Sequence, residues 1–245
     1  MLEKRQIAIV LYTGMTALDA LGPYEVLKLM PDSEIRLVAH EPGPIATDRD
    51  ALIIGATHGF EETPRPFLVL VPGSEANTTT AMADRRLLAW LRKVHETSTM
   101  TTSVCSGALI LASAGLLKGR RATTHWWAQS SLERFGAIAV PDQRVVRSGK
   151  VWTSAGVSAG IDLALELLGE LAGREAAEVA QLMIEYDPRP PFSSGHPTKA
   201  TEAVRAKAAA ELARLSRNRR NLISVPQILW RRAIERSRKA MKLGT

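Results

Sequence analysis

The feature that most narrows the choice of fold is a set of short, unbroken apolar runs separated by stretches with helical spacing. Ile7-Ala8-Ile9-Val10-Leu11 and Phe67-Leu68-Val69-Leu70-Val71 contain no polar residue. A strand with one wet face alternates apolar and polar side chains. A strand that is apolar throughout is buried on both faces, as in a parallel sheet between two helical layers. Residues 35–39, 51–54 and 99–104 read as further strands, and Val145 to Thr153 as a hairpin with Ser148-Gly149 at its turn. Helices are expected between them. Gly22-Pro23 opens one through Met30, since proline is tolerated in a first turn. Asp84 begins another through His95, with Leu87, Leu88, Leu91 and Val94 on one face. Residues 106–117, 126–135, 160–171 and 175–186 read as the rest. This alternation predicts an α/β chain with an open, doubly wound, mainly parallel sheet and helices on both faces.

Asp187-Pro188-Arg189-Pro190-Pro191-Phe192 cannot continue a helix and is expected to run over the surface. It leads to a division into a catalytic domain, 1–197, and a basic helical C-terminal extension, 198–245. The extension reads as an alanine-rich helix over 198–217 and a final helix from Ser224-Val225-Pro226 through Lys242. From Arg205 to Thr245 there are twelve Lys or Arg and two acidic residues, so the tail carries +10 of a net charge of +7 and the preceding chain carries −3. Clustered basic residues are a phosphate-binding footprint, which leaves nucleic acid open as a partner of the tail. The blander reading is a solvated helix packed on the body or on a dimer mate. Ile228, Leu229, Ala233, Ile234, Ser237 and Met241 give it a weak apolar stripe, with Arg231, Arg232, Arg236, Arg238 and Lys239 around the remainder. Apolar residues at 45% and charged residues at 23% exclude a disordered chain. No apolar run reaches membrane-spanning length. Met1 to Gln6 lead straight into a strand with no signal-peptide apolar region, so the expected location is cytoplasmic.

In open α/β sheets, ligands bind beyond the carboxyl ends of the strands. Three segments bring unusual residues there: Thr16-Ala17-Leu18-Asp19, Val71-Pro72-Gly73-Ser74 and Ser103-Val104-Cys105-Ser106-Gly107. Cys105 is the only cysteine, which excludes an internal disulfide and a multi-cysteine metal site. A lone cysteine is usually a small buried hydrophobe. Here, however, a strand ends at the cysteine and turns at once into a helix, in the manner of a nucleophile elbow. The helix N–H groups and dipole are expected to favour the thiolate. Asp19 sits among apolar residues, either as a helix cap or as a carboxyl facing the sulfur. In the second case burial and like charge would raise its pKa into the range of a general acid or base. Gly73 and Ser74 offer backbone N–H groups for an oxyanion-type hole, or simply a turn. His125 either faces substrate or caps the helix starting at Trp126. His40, His58, His95 and His196 lack metal-ligand spacing, and no glycine-rich nucleotide fingerprint or P-loop is present, so neither metal nor cofactor is expected.

Several stretches together resemble the PfpI/ThiJ superfamily, and within it the isonitrile hydratase group. They are Leu18-Asp19 with Gly22-Pro23-Tyr24-Glu25-Val26; Val71-Pro72-Gly73; Cys105-Ser106-Gly107-Ala108-Leu109; Ala112 to Leu117; Ala122-Thr123-Thr124-His125-Trp126; Thr153 to Asp162; and Glu185-Tyr186 with Pro190-Pro191-Phe192. The resemblance spans Gln6 to Pro197. It implies a flavodoxin-like, glutamine amidotransferase-like fold, Cys105 as nucleophile, Asp19 as its acidic partner, and a hole at Gly73 and Ser74 aided by the Ser106 amide. The implied reaction is hydration of an isonitrile to an N-substituted formamide, without a cofactor and in a homodimer. Protease-like members place a His after the Cys; Ser106 stands there, which argues against a peptidase. Hydratases usually carry Thr at that place, and a second Gly is common where Ser74 stands. The alternatives are glyoxalase-like hydration of methylglyoxal, whose members typically pair the Cys with Glu, and a regulator or thiol-based stress sensor.

Overall fold

The computed structural model describes residues 4–217 and 219–243. Met1 to Glu3, Gly244-Thr245 and, in the last helix, the side chains of Arg236, Ser237, Arg238, Lys239 and Met241 lie outside the described residues. In chain order the strands are β1 (Arg5–Val10), β2 (Ser33–Ala39), β3 (Gly43–Ala46), β4 (Ile53–Ala56), β5 (His58–Gly59), β6 (Leu68–Val71), β7 (Met100–Ser103), β8 (Arg121–Ala122), β9 (Ile138–Ala139), β10 (Val145–Ser148) and β11 (Val151–Ser154). The helices are α1 (Ala17–Leu27), α2 (Thr78–Ala83), α3 (Arg85–Thr97), α4 (Gly107–Ser113), α5 (Gln129–Arg134), α6 (Ala159–Ala172), α7 (Arg174–Met183), α8 (Glu202–Ser216) and α9 (Arg219–Leu243).

Seven strands form the main sheet in the order β10-β11-β7-β6-β1-β2-β5. Every neighbouring pair is parallel except β10 with β11. The unbroken apolar runs explain this burial. Along β1, Ile7 and Ile9 face the core that contains Leu163 and Leu167 of α6, while Ala8 and Val10 face the core that contains Leu91 of α3 and Ile110 of α4. Successive side chains of a strand point to opposite faces, so a strand sandwiched by helices must be apolar at both registers. From β1 the chain steps outward to β2, then returns to β6 on the other side. The switch point between β1 and β6 opens the crevice where ligands bind in such sheets.

Several boundaries differ from the sequence reading. The run at 51–54 contributes to β4, which pairs antiparallel with β3 in a separate hairpin outside the main sheet. The hairpin turn of β10 and β11 is Gly149-Lys150, with Gly149 at φ +61°. The helix after Cys105 ends at Ser113, and Gly115 at φ +85° turns the chain away. Helix α1 starts at Ala17, so Pro23 lies inside it and Asp19 falls in its first turn. Helix α9 starts at Arg219, with Pro226 inside. Helix α2, absent from the sequence reading, is clasped by α9. Asn221 Nδ2 donates to Ala76 O at 2.6 Å, Arg231 donates to Met82 O at 2.8 Å, and Ile228 is buried in the sheet core. Helix α9 therefore packs on the body. Helix α8, capped by Thr201, buries no side chain. Among the described residues, no helix is long and apolar enough to cross a membrane.

Candidate active site

Cys105 follows β7 and sits at φ +55°, a left-handed conformation that a non-glycine residue adopts only when its surroundings impose it. Its N–H donates to Ala155 O at 3.1 Å, and its own carbonyl accepts from Thr124 Oγ1 at 2.8 Å. Two glycines allow the β6 loop to meet this elbow. A Cβ on Gly107 would lie 2.2 Å from Val71 O, and one on Gly73 would lie 2.5 Å from the Ser106 amide nitrogen. No side chain fits at either place, so the turn and the loop can touch only as glycines.

Asp19 is fully buried, and it is not a helix cap. Its Oδ2 accepts from the Gly73 N–H at 2.8 Å. Its Oδ1 is buried without a standard hydrogen bond among the described residues. Burial pushes its pKa up to about 7, while hydrogen bonds from the Gly73 N–H and the Cys105 thiol pull the other way. Burial also pushes the Cys105 thiol well above its ordinary range, and the Asp19 charge adds to that. The N–H groups of Val157 and Ser106 and the Ser106 hydroxyl oppose the rise. Burial and the Asp19 charge thus work against the thiolate that the helix terminus was expected to favour, and helix α4, which spans only Gly107–Ser113, offers a short dipole to oppose them.

The expected backbone hole is also different in detail. The Gly73 N–H is engaged by Asp19, and the Ser74 N–H donates to Ser106 Oγ at 2.9 Å, so neither amide is open toward a substrate. The N–H groups that favour a charged sulfur belong to Ser106 and to Val157, the second of which sequence reasoning missed. Val157 is β-branched yet holds φ +26°, a strained conformation that aims its N–H. His125 accepts from the Trp127 N–H through Nδ1 at 3.4 Å and so caps the short 3-10 turn Trp126–Ala128. Burial lowers its pKa and keeps it neutral near pH 7. Its ring lies against Gly156, where a Cβ would be 2.4 Å from Cδ2, so it supports the turn that carries Val157.

Tyr12 is a second residue missed. Its hydroxyl donates to Pro72 O at 3.1 Å, and burial with the Asp19 and Cys105 charges keeps it un-ionised. Beyond it a cavity of about 620 Å³ opens over the ends of β1 and β2, walled by Tyr12, His40, Ile45, Thr80, Asp84 and Gln227 among others, but not by Cys105. Among the described residues, no three of His, Cys, Asp or Glu gather as a metal site. The arrangement places one thiol, one carboxyl of near-neutral pKa and two converging N–H groups at a crevice of the sheet. It can add sulfur to an electrophilic carbon and move protons beside it.

Residues 5–170 match the model of the DJ-1/PfpI family. The isonitrile hydratase of Pseudomonas putida is 42% identical over 211 residues, covering 84% of this chain and 91% of that protein. A THiJ/PfpI family protein from Pseudomonas syringae superposes with a TM-score of 0.83 at 37% identity, covering 90% of each chain. Drosophila melanogaster DJ-1beta, at 19% identity, shares the fold with a TM-score of 0.68, over 74% of this chain and 98% of its own. On both sequence and fold, this chain belongs to the DJ-1/PfpI family.

Proposed function

We propose that the protein is an isonitrile hydratase-like hydro-lyase that converts R–N≡C and water to R–NH–CHO. The observation that carries this reading is the Cys105–Asp19 pair, a thiol coupled to a carboxyl with a pKa of about 7 at the switch point of the sheet. The 42% identity to a hydratase over most of both chains supports the choice of substrate class. Ionised Asp19 takes the thiol proton as Sγ bonds to the terminal isonitrile carbon. Protonated Asp19 then delivers that proton to the same carbon, giving the thioimidate R–N=CH–S–Cys105. A water attacks this carbon, losing a proton to Asp19, which passes it to the nitrogen and gives the adduct R–NH–CH(OH)–S–Cys105. Asp19 then takes the hydroxyl proton as the C–S bond breaks and the formamide leaves, and it returns that proton to sulfur. No redox partner is consumed. The N–H groups of Val157 and Ser106 stabilise sulfur whenever it carries charge.

The exposed side chains Leu182 and Met183 of α7 and Phe192 beyond it are 77%, 65% and 79% exposed. A surface of this kind fits a second copy of the chain, and we propose a homodimer.

The function is tested with cyclohexyl isocyanide, following loss of the isonitrile infrared stretch and identifying the formamide by mass. Turnover by the native chain is expected, and loss of more than about a thousandfold in Cys105→Ala, as for removal of a covalent nucleophile. A folded native chain that hydrates methylglyoxal but no isonitrile would replace this reading with the glyoxalase-like one.

A further inference from the structure

Helix α9 has two faces, and the body covers one of them. Asn221, Ser224 and Ile228 are buried, and Arg231 donates to Met82 O at 2.8 Å. Helical spacing puts these four residues on one side. The Arg232 guanidinium also turns to the body, 4.3 Å from the centre of the Phe135 ring. Ile223, Trp230 and Ile234 share a second helical spacing, offset by about half a turn, so they line the opposite side. Ile223 and Trp230 are 65% and 71% exposed, and Leu229 is exposed on the flank. A stripe of tryptophan and aliphatic side chains open to water along about three turns is a surface for a partner.

Charge around the stripe restricts that partner. In sequence α9 carries eight Lys or Arg and one Glu, and Arg205, Lys207 and Arg217 are exposed on or beside α8. A second copy would bring two strongly cationic helices face to face, and the chain before the tail, at −3, has little net charge to offset them. Duplex nucleic acid supplies negative charge, but it is held by basic and polar side chains turned toward its phosphates and grooves. Here the two arginines in the middle of α9 face the body, and the outer side offers Ile, Trp and Ile. An anionic bilayer surface meets both halves of the pattern. Its headgroup phosphates attract Lys and Arg, while tryptophan and aliphatic side chains sit at the boundary with the acyl chains.

We propose that α9 is a docking element for an anionic lipid surface, lying among the headgroups with Ile223, Trp230 and Ile234 toward the acyl chains and its inner face still clasped to α2. The contact is peripheral and does not span the bilayer. It uses none of the residues around Cys105 and is independent of the reaction proposed above.

Co-sedimentation of the full-length protein with phosphatidylcholine vesicles containing phosphatidylglycerol tests the proposal. Binding to the mixed vesicles is expected, at least about tenfold weaker binding to phosphatidylcholine alone, and release as salt rises from about 0.1 M to about 0.5 M. Ile223→Ser with Trp230→Ser is expected to lower the partition coefficient more than about tenfold, the loss of two interfacial anchors. Its urea midpoint should stay at the native value, because both side chains are exposed. Trp230→Phe keeps an anchor and serves should the double variant fail to fold. With brominated lipids in the vesicles, the native tryptophan fluorescence should be quenched in part, and Trp230→Phe should bind equally well with less quenching. Absence of binding to the mixed vesicles would overturn the proposal, as would equal binding to phosphatidylcholine alone, native binding by the double variant, or unchanged quenching in Trp230→Phe. Retention of duplex DNA without vesicle binding would assign the tail to nucleic acid instead. A native dimer that the double variant abolishes, again without vesicle binding, would assign the stripe to a second copy.

Discussion

A carboxyl whose pKa is raised by burial has a consequence for stability as well as for catalysis. The Asp19 pKa is raised from 3.8 to about 7 on folding. The native state therefore binds this proton more tightly than the unfolded chain, and the stability it confers is full at low pH and is lost as pH rises toward 7. Asp19→Asn keeps an acceptor for the Gly73 N–H and removes the ionisation. The variant should gain on the native chain as pH rises from 4 to 7 and hold that gain above, by up to about 4 kcal/mol. Urea unfolding of both proteins at pH 5 and pH 8 measures it; an equal difference at the two pH values would contradict the raised pKa. Catalysis runs the opposite way, since the base must be ionised to take the thiol proton. kcat/KM should climb with pH through an apparent pKa near 7, and Asp19→Asn should leave only a small residual rate without that limb. At this scale Cys105 and Asp19 were legible because their side chains are themselves unusual in their settings. Val157 and Tyr12 were not, because one acts through a backbone N–H that any residue possesses and the other through its position in space.

The elements that build the site are short loops pressed together, and their contact depends on the absence of two side chains. Gly107→Ala would place a methyl group against Val71 O, a backbone atom that cannot swing aside. The elbow must shift or the β6 loop must part from it. The variant should lose about 1–3 kcal/mol in urea unfolding, as overpacked cores do, and should react differently with iodoacetamide because Cys105 is displaced. An unchanged midpoint and unchanged alkylation would show that the close approach is not needed. The strands of the main sheet were readable because two-sided burial writes itself as unbroken apolar runs. The run at 51–54 misled because a short apolar segment carries no sign of which sheet it joins. Both misplaced helix starts have one cause. Pro23 and Pro226 look like first-turn prolines, yet tertiary packing keeps each inside a longer helix, with the buried Ala20 before Pro23 and the buried Asn221 before Pro226. Local propensity was overruled by burial that no local pattern records.

For the whole molecule, the exposed apolar side chains of α7 predict association. Sedimentation of the native chain should give a mass near twice 26.7 kDa, and Leu182→Glu with Met183→Glu should shift it toward a monomer, since a buried unpaired carboxylate is costly. A monomeric native chain at the concentrations of the activity measurement would remove the dimer from the functional reading. The doubly wound architecture was legible as a whole because alternation of strand and helix admits few topologies. The docking of the basic tail on α2 was not, because complementarity between distant segments leaves no periodic mark. That docking imposes an order in time. The ribosome delivers all the strands of the sheet before α9 exists, and domains begin to fold on the nascent chain from the N-terminal side. The sheet can close and bring Cys105 to Asp19 while α2 still waits for the helix that will clasp it from outside. For that interval the newborn thiol has its carboxyl partner but not its outer wall, and an electrophile in the surrounding fluid meets a less guarded nucleophile than it will find a few seconds later.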